Sequence, residues 1–272
     1  MAGGIVAKKS LGQNFLHAPS VIRKMLDVAS IKRDDLVVEI GPGKGALTKE
    51  LLERGAQVFA FELDERMISF LQEKFSQAIQ KGKLILIHQD ILKTRMHDFF
   101  SQDEKYKLVA NIPYYISNMI LRKFLSEEEI PPQEMVLLVQ HELAERIVAR
   151  DGKSSLLSLS VAAYADAQYI QKVSRRYFRP VPKVDSAVIA LKNISQKHFA
   201  SRDEEKVFFQ VIRAAFRHKR KKLMKNLSEF LDQVSLENIF AELGFDENIR
   251  AEELSVEDYL RIVDKIIKKR AK

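Results

Sequence analysis

Leu36-Val37-Val38-Glu39-Ile40-Gly41-Pro42-Gly43-Lys44-Gly45 reads as a short apolar strand running into three alternating glycines, after which Leu47, Leu51 and Leu52 resume a helical period. Glycine suits such a turn because the backbone must bend tightly and let a ligand approach without a side chain in the way. An ordinary strand-to-helix turn has the same composition, and a dinucleotide fingerprint would continue to a further glycine that this chain lacks. The flanking pattern extends the unit. Upstream, Pro19 sits at a first helical position, with Val21, Ile22, Met25, Leu26 and Ala29 at helical spacing. Downstream, a strand over Gln57 to Leu63 ends in acids, and Met67, Phe70, Leu71 and Phe75 predict a helix from Arg66 to Gln80. Short buried-type strands then lead into polar residues: Leu84 to His88 into Asp90, Leu108 to Ala110 into Asn111, Met135 to Val139 into Gln140. That alternation predicts an α/β fold with a doubly wound, Rossmann-like parallel sheet, and ligands where the carboxyl ends of the strands meet. Later strands are expected at Ala167 to Ser174 and Ser186 to Asn193, the second alternating less cleanly.

Composition changes near Ser195 to Arg202, where Ser201 and Glu204 form a candidate capping box and helical patterns follow, one after Ser235 and one after Ser255. The expected domains are therefore residues 1–195 and a small all-helical domain, 196–272, ending in a frayed lysine-rich tail from Lys268 to Lys272. The chain has 272 residues, 46% hydrophobic and 30% charged, enough for a substantial core. It has no apolar run of membrane-spanning length and no signal-peptide core after Met1 to Ser10, so a cytoplasmic protein is expected. Without cysteine, disulfides, thiol nucleophiles and thiolate metal sites are excluded, and six scattered histidines offer no metal-binding spacing; no metal is expected. The net charge of +8 and pI near 9.4 favour a polyanionic partner, although a modestly basic protein is also simply soluble. Placement says more. Lys206 to Ser228 contains no acid and carries Arg213, Arg217, Lys219, Arg220, Lys221, Lys222 and Lys225. On a continuous helix, Phe209, Ile212 and Phe216 would face the core while Arg213, Arg217 and Arg220 formed a basic ridge.

Three further positions carry chemistry. Glu62, about 20 residues beyond the glycines, stands where a carboxylate accepts hydrogen bonds from both hydroxyls of an adenosyl ribose, and Asp90 where one receives an adenine amino group. Either acid alone is equally a solvated cap. Asn111-Ile112-Pro113-Tyr114 offers what methylation of an aromatic amine requires. The amine's lone pair is delocalised into the purine until acceptors hold its hydrogens; the Asn111 side-chain oxygen and the Ile112 carbonyl are such acceptors. Pro113 fixes the turn and Tyr114 can stack on an extruded base. A simple Asn-Pro turn after a strand is the plainer alternative.

With these motifs in order, the chain resembles the bacterial ribosomal RNA adenine dimethyltransferases, related to the macrolide-resistance RNA methyltransferases and mitochondrial transcription factors. The resemblance covers nearly the whole chain and implies a class I methyltransferase sheet with S-adenosylmethionine as methyl donor. Gly12-Gln13-Asn14-Phe15-Leu16 resembles the family's amino-terminal motif, Glu39 to Thr48 its methionine-binding loop, and Asn111 to Tyr115 its catalytic loop. It implies cofactor contacts from Asn14, Leu16, Gly41, Gly43, Glu62, Asp90 and Asn111. Phe178-Arg179-Pro180-Val181-Pro182-Lys183-Val184-Asp185-Ser186 resembles the late motif of the base pocket, with Phe178 as a second stacking face. Ala215 to Leu223 resembles the basic carboxy-domain signature, with Arg217, Lys219, Arg220, Lys221 and Lys222 as RNA contacts. One departure is His17-Ala18-Pro19, where the family often has an acid. Judged without the family, Phe15, Leu16 and Phe178 are equally core residues. The expected activity is N6,N6-dimethylation of two adjacent adenines in the 3′-terminal hairpin of 16S ribosomal RNA, within the small subunit or its precursor, by a monomer. The alternatives are large-subunit RNA methylation conferring macrolide resistance and a mainly non-catalytic ribosome-assembly factor.

Overall fold

The computed structural model describes residues 6–8, 11–195 and 198–270. Two compact units divide it. One runs to Ala144 and resumes over Asp166–Ile194; the other comprises Glu145–Ala165 and the chain from Ser195 onward. The return of residues 145–165 to the helical unit differs from the single break expected at residue 195, while Gln196, where the second domain was expected to begin, lies outside the described residues.

In chain order the first unit builds β1 (Phe15–Leu16), α1 (Pro19–Val28), β2 (Leu36–Ile40), α2 (Ala46–Glu53), β3 (Gln57–Glu62), α3 (Glu65–Lys74), α4 (Ser76–Gln80) and β4 (Leu84–His88). It continues with β5 (Tyr106–Asn111), α5 (Ser117–Arg122) and β6 (Glu134–Gln140); α6 (His141–Ile147) crosses the boundary, and α7 (Leu156–Ala162) belongs to the second unit. The chain returns for β7 (Asp166–Val173), β8 (Phe178–Arg179) and β9 (Ser186–Lys192). Seven strands form one sheet in the order β4-β3-β2-β5-β6-β9-β7; the first five are parallel and β9 runs antiparallel to both neighbours. The order reverses between β2 and β5, which opens a crevice at their carboxyl ends. Val37 to Ile40, Leu108 to Ala110, Met135 to Val139 and Ala187 to Leu191 are buried throughout, so β9 fails to alternate because helices or neighbouring side chains cover both of its faces. The helix expected from Arg66 to Gln80 is two helices that meet at Phe75. The Phe75 ring lies where a side chain on Gly45 would stand, 2.5 Å from the position of its Cβ, so packing against the glycine turn takes the residue out of the helical series.

The second unit is α7 with α8 (Arg202–Ala215), α9 (Leu223–Leu227), α10 (Gln233–Leu243) and α11 (Val256–Arg270). Apolar faces meet in a core that includes Phe208, Val211, Ile212, Leu236, Phe240, Tyr259, Ile262 and Ile266. Ser201 caps α8 by accepting from the Glu204 amide at 3.2 Å, but the Glu204 carboxylate turns to the Ala200 amide, so half of the expected box forms. Asp232 rather than Ser235 caps α10. Lys268 to Arg270 continue α11 instead of fraying; Ala271 and Lys272 lie outside the described residues.

Candidate active site

The crevice contains a cavity of about 400 Å³, within the range of small-molecule sites. Asn14, Leu16, Gly41, Gly43, Glu62, Asp90, Asn111, Ile112, Pro113 and Tyr114 all line it. These residues come from β1 and the ends of four parallel strands, so folding the sheet is what gathers them.

The glycine turn and Glu62 form one hydrogen-bonded unit. Gly43 has φ +54°, and a Cβ there would stand 2.9 Å from the Phe15 ring, so both the backbone sign and the close approach require glycine. Its amide donates to Glu62 Oε2 at 3.2 Å, while the amides of Leu63 and Asp64 donate to Oε1, each at 2.9 Å. A carboxylate has about four acceptor positions; with three taken, the remaining one is on Oε2. Burial raises the pKa of Glu62 and the three amides oppose it. Asp90 receives the Leu92 amide on Oδ1 at 3.0 Å, and Oδ2 has no donor among the described residues.

At the end of β5 the Asn111 amide nitrogen donates to the Asn14 carbonyl at 3.1 Å. The nitrogen is thereby committed, which leaves the side-chain oxygen as the acceptor this residue offers. Tyr114 is half-buried, its hydroxyl 2.7 Å from the hydroxyl of fully buried Ser186, and burial raises its pKa. Tyr115, 57% exposed, stands at the mouth with its ring against Gly12.

An amino-terminal arm closes one side. Asp64, buried at the start of α3, takes two hydrogen bonds from the Arg66 guanidinium, at 2.6 and 2.9 Å, and one from Gln13 at 3.0 Å. Arg66 above all, with Gln13, holds its carboxyl well below the usual range. Phe15 lies under Lys44, 5.0 Å from its ring centre. Sequence reasoning missed this Asp64 hub, because a buried N-cap acid leaves no periodic signal. Gln13, Tyr115 and Ser186 lay inside motifs already singled out, but without a role of their own.

Two expectations need correction. Phe178 does not line the cavity: it is fully buried, pairs with Leu16 across β1 and β8, and belongs to the apolar core with Val21, Val173 and Val188. Its ring therefore shows no face to a base. The basic stretch is not a helical ridge either, because α8 ends at Ala215 and Arg217, Lys219, Arg220, Lys221 and Lys222 occupy exposed turns. Continuing the helix would set Arg213, Arg217 and Lys221 at four-residue spacing, like charge on like. Asn226 instead donates to the carbonyls of Ala215 and His218, at 2.7 and 3.2 Å, and Arg217 forks onto Glu229 at 3.1 and 3.2 Å.

Among the described residues no helix is long and apolar enough to cross a membrane, and no group of three or more metal-ligating side chains occurs. Comparison with known proteins gives three concordant results. Residues 5–268 match the family model described as ribosomal RNA adenine dimethylase. A protein named ribosomal RNA small subunit methyltransferase A from Dehalococcoides mccartyi is 42% identical over 260 residues, covering 94% of this chain and 87% of that one. Its namesake in Bacillus cereus is 38% identical and covers 97% and 92%. Among solved structures, a dimethyladenosine transferase from Plasmodium falciparum superposes with a TM-score of 0.79 at 26% identity, covering 94% and 98%. The 23S rRNA methyltransferase ErmE gives 0.77 at 25%, covering 93% and 100%.

Proposed function

The chain belongs to the ribosomal RNA adenine dimethylase family, and we propose that it places two methyl groups on N6 of each of two adjacent adenines in the 3′-terminal hairpin of 16S RNA, in the small ribosomal subunit or its precursor, acting as a cytoplasmic monomer. S-adenosylmethionine is the methyl donor of this chemistry. The observation that carries the site assignment is the hydrogen bond of Asn111: its nitrogen is tied to the Asn14 carbonyl, which leaves its oxygen to accept, in a cavity that Ile112, Pro113 and Tyr114 also line.

The residues present fit the donor. Gly41, Gly43, Asn14 and Leu16 line the cavity and would hold its methionine part. Glu62, with an acceptor position left on Oε2, would hold the ribose hydroxyls, and Asp90, with Oδ2 left to accept, would hold the adenine amine. When bound, the donor supplies a methyl already activated on a sulfonium.

The chain's own task is positioning and polarisation. Tyr114 holds the extruded target base by stacking, at an angle fixed by the Ser186 hydroxyl. The Asn111 oxygen and the Ile112 carbonyl accept the two amine hydrogens and draw the nitrogen towards tetrahedral geometry, exposing its lone pair. Once methylated, the nitrogen would be cationic and acidic, and its proton would pass to water. The monomethylated amine keeps one hydrogen, and a second round proceeds with a single acceptor engaged. No strong general base is needed.

Asn111→Ala tests the assignment. Single-turnover methylation is expected to fall by at least a hundredfold while RNA affinity stays within about twofold, since the side chain acts on the amine during attack and not on phosphates. A parental rate would remove Asn111 from the chemistry.

A further inference from the structure

The end of β7 and its connection to β9, Lys172 to Asp185, carry five exposed cations, Lys172, Arg175, Arg176, Arg179 and Lys183, against one acid. That acid is already engaged: Asp185 accepts from the Arg175 amide at 3.0 Å and pairs with Lys172 at 3.1 Å. Arg176, Arg179 and Lys183 have no acid partner among the described residues. Between them Tyr177, Val181 and Val184 are 48%, 53% and 44% exposed, an aromatic and two apolar side chains with nothing over them. A merely solvated loop would pair or disperse this charge and hide these side chains.

The connection is also rigidly joined to the adenine site. Ser186, directly after Asp185, bonds to the Tyr114 hydroxyl, and β8 pairs with β1 of the arm, where the His17 amide donates to the Tyr177 carbonyl at 2.8 Å. Pro180 and Pro182 restrict the backbone between. Lys183 lies three residues from Ser186, so its backbone is at most about 11 Å of chain from that anchor.

We propose that this connection is a second RNA-docking surface, on the methyltransferase unit itself: Arg176, Arg179 and Lys183 hold backbone phosphates flanking the target adenine, and Tyr177 stacks on a neighbouring unpaired base. This rests on the assignment of Asn111 to Tyr114 as the adenine site. Its role differs from that of the basic turns in the helical unit, because a phosphate held here is placed at a set distance from the reacting amine.

The test compares the full-length parent, the Arg176→Gln/Lys183→Gln double variant and the charge-keeping Arg176→Lys/Lys183→Arg variant. The probe is an RNA hairpin copied from the 3′ end of 16S RNA, titrated between about 50 and 200 mM salt. Losing two phosphate contacts should weaken binding about tenfold and reduce the slope of log affinity against log salt by roughly 1.5. S-adenosylmethionine affinity and the charge-keeping variant should match the parent. Should the double variant lose cofactor binding, each single glutamine variant serves instead, with a slope reduced by about 0.8. A parental slope, or equal weakening in the charge-keeping variant, overturns the surface. If the parent binds the hairpin but leaves small subunits that lack the modification unmethylated, the proposed function falls separately; if it binds no RNA, both fall.

Discussion

Glu39 shows how much of the site's electrostatics is set by a single buried residue. It is the penultimate residue of β2, is 1% exposed, and accepts a hydrogen bond from the Thr48 hydroxyl at 2.7 Å. Burial, with the nearby Glu62 carboxylate adding to it against the Thr48 bond, pushes its pKa up to about 8 from an ordinary 4.5. The folded state therefore binds a proton here that the unfolded chain has released. Stability from this residue is complete below pH 4.5 and is lost as pH rises towards 8, at up to about 1.4 kcal/mol per pH unit. Glu39→Gln keeps an acceptor for Thr48 but cannot ionise. Urea unfolding between pH 5 and 8.5 should show the variant gaining on the parent as pH rises, then a constant gap; a gap independent of pH would mean that Glu39 is ionised in the fold. In the sequence, Glu39 was only the first letter of a glycine motif. Strand and turn were visible in the run from Leu36 to Gly45, whereas the covering of the turn by Leu71, Phe75 and Phe15 comes from elsewhere in the chain.

At the level of elements, the parallel strands were legible because strands covered on both faces become uninterrupted apolar runs, as in Met135 to Val139. The elements that differed were decided by contacts distant in sequence: Phe75 leaves its helix to pack on Gly45, and Phe178 turns inward because β8 pairs with β1. The basic stretch belongs with these. A helical period reads through Ala215, but the turn that follows is held by Asn226, eleven residues further on. Asn226→Ala should destabilise the helical unit by about 1–3 kcal/mol, since two carbonyls lose a buried donor. On the proposal that Lys219, Arg220 and Lys221 contact RNA, it should also weaken RNA binding although every cation remains, because these side chains lose their fixed placement. Denaturant unfolding and RNA titration read the two effects; parental values in both would mean that the turn holds its shape without Asn226.

For the whole molecule, the cavity, the arm, Asn111 and the cations between Lys172 and Lys183 lie in the sheet unit, and the Arg217 to Lys222 turns in the helical one. Structural likeness alone does not choose the RNA, since a dimethyladenosine transferase and a 23S rRNA methyltransferase superpose almost equally well, at TM-scores of 0.79 and 0.77. Sequence identity favours the small subunit, at 42% to a relative named for it. The most direct measurement is to incubate the parent enzyme with methyl-labelled S-adenosylmethionine and small subunits lacking the modification, then map the label by nuclease digestion and mass spectrometry. The prediction is dimethyladenosine at two adjacent adenines in the 3′-terminal hairpin of 16S RNA; label in large-subunit RNA supplied alongside, or in neither RNA, would contradict it.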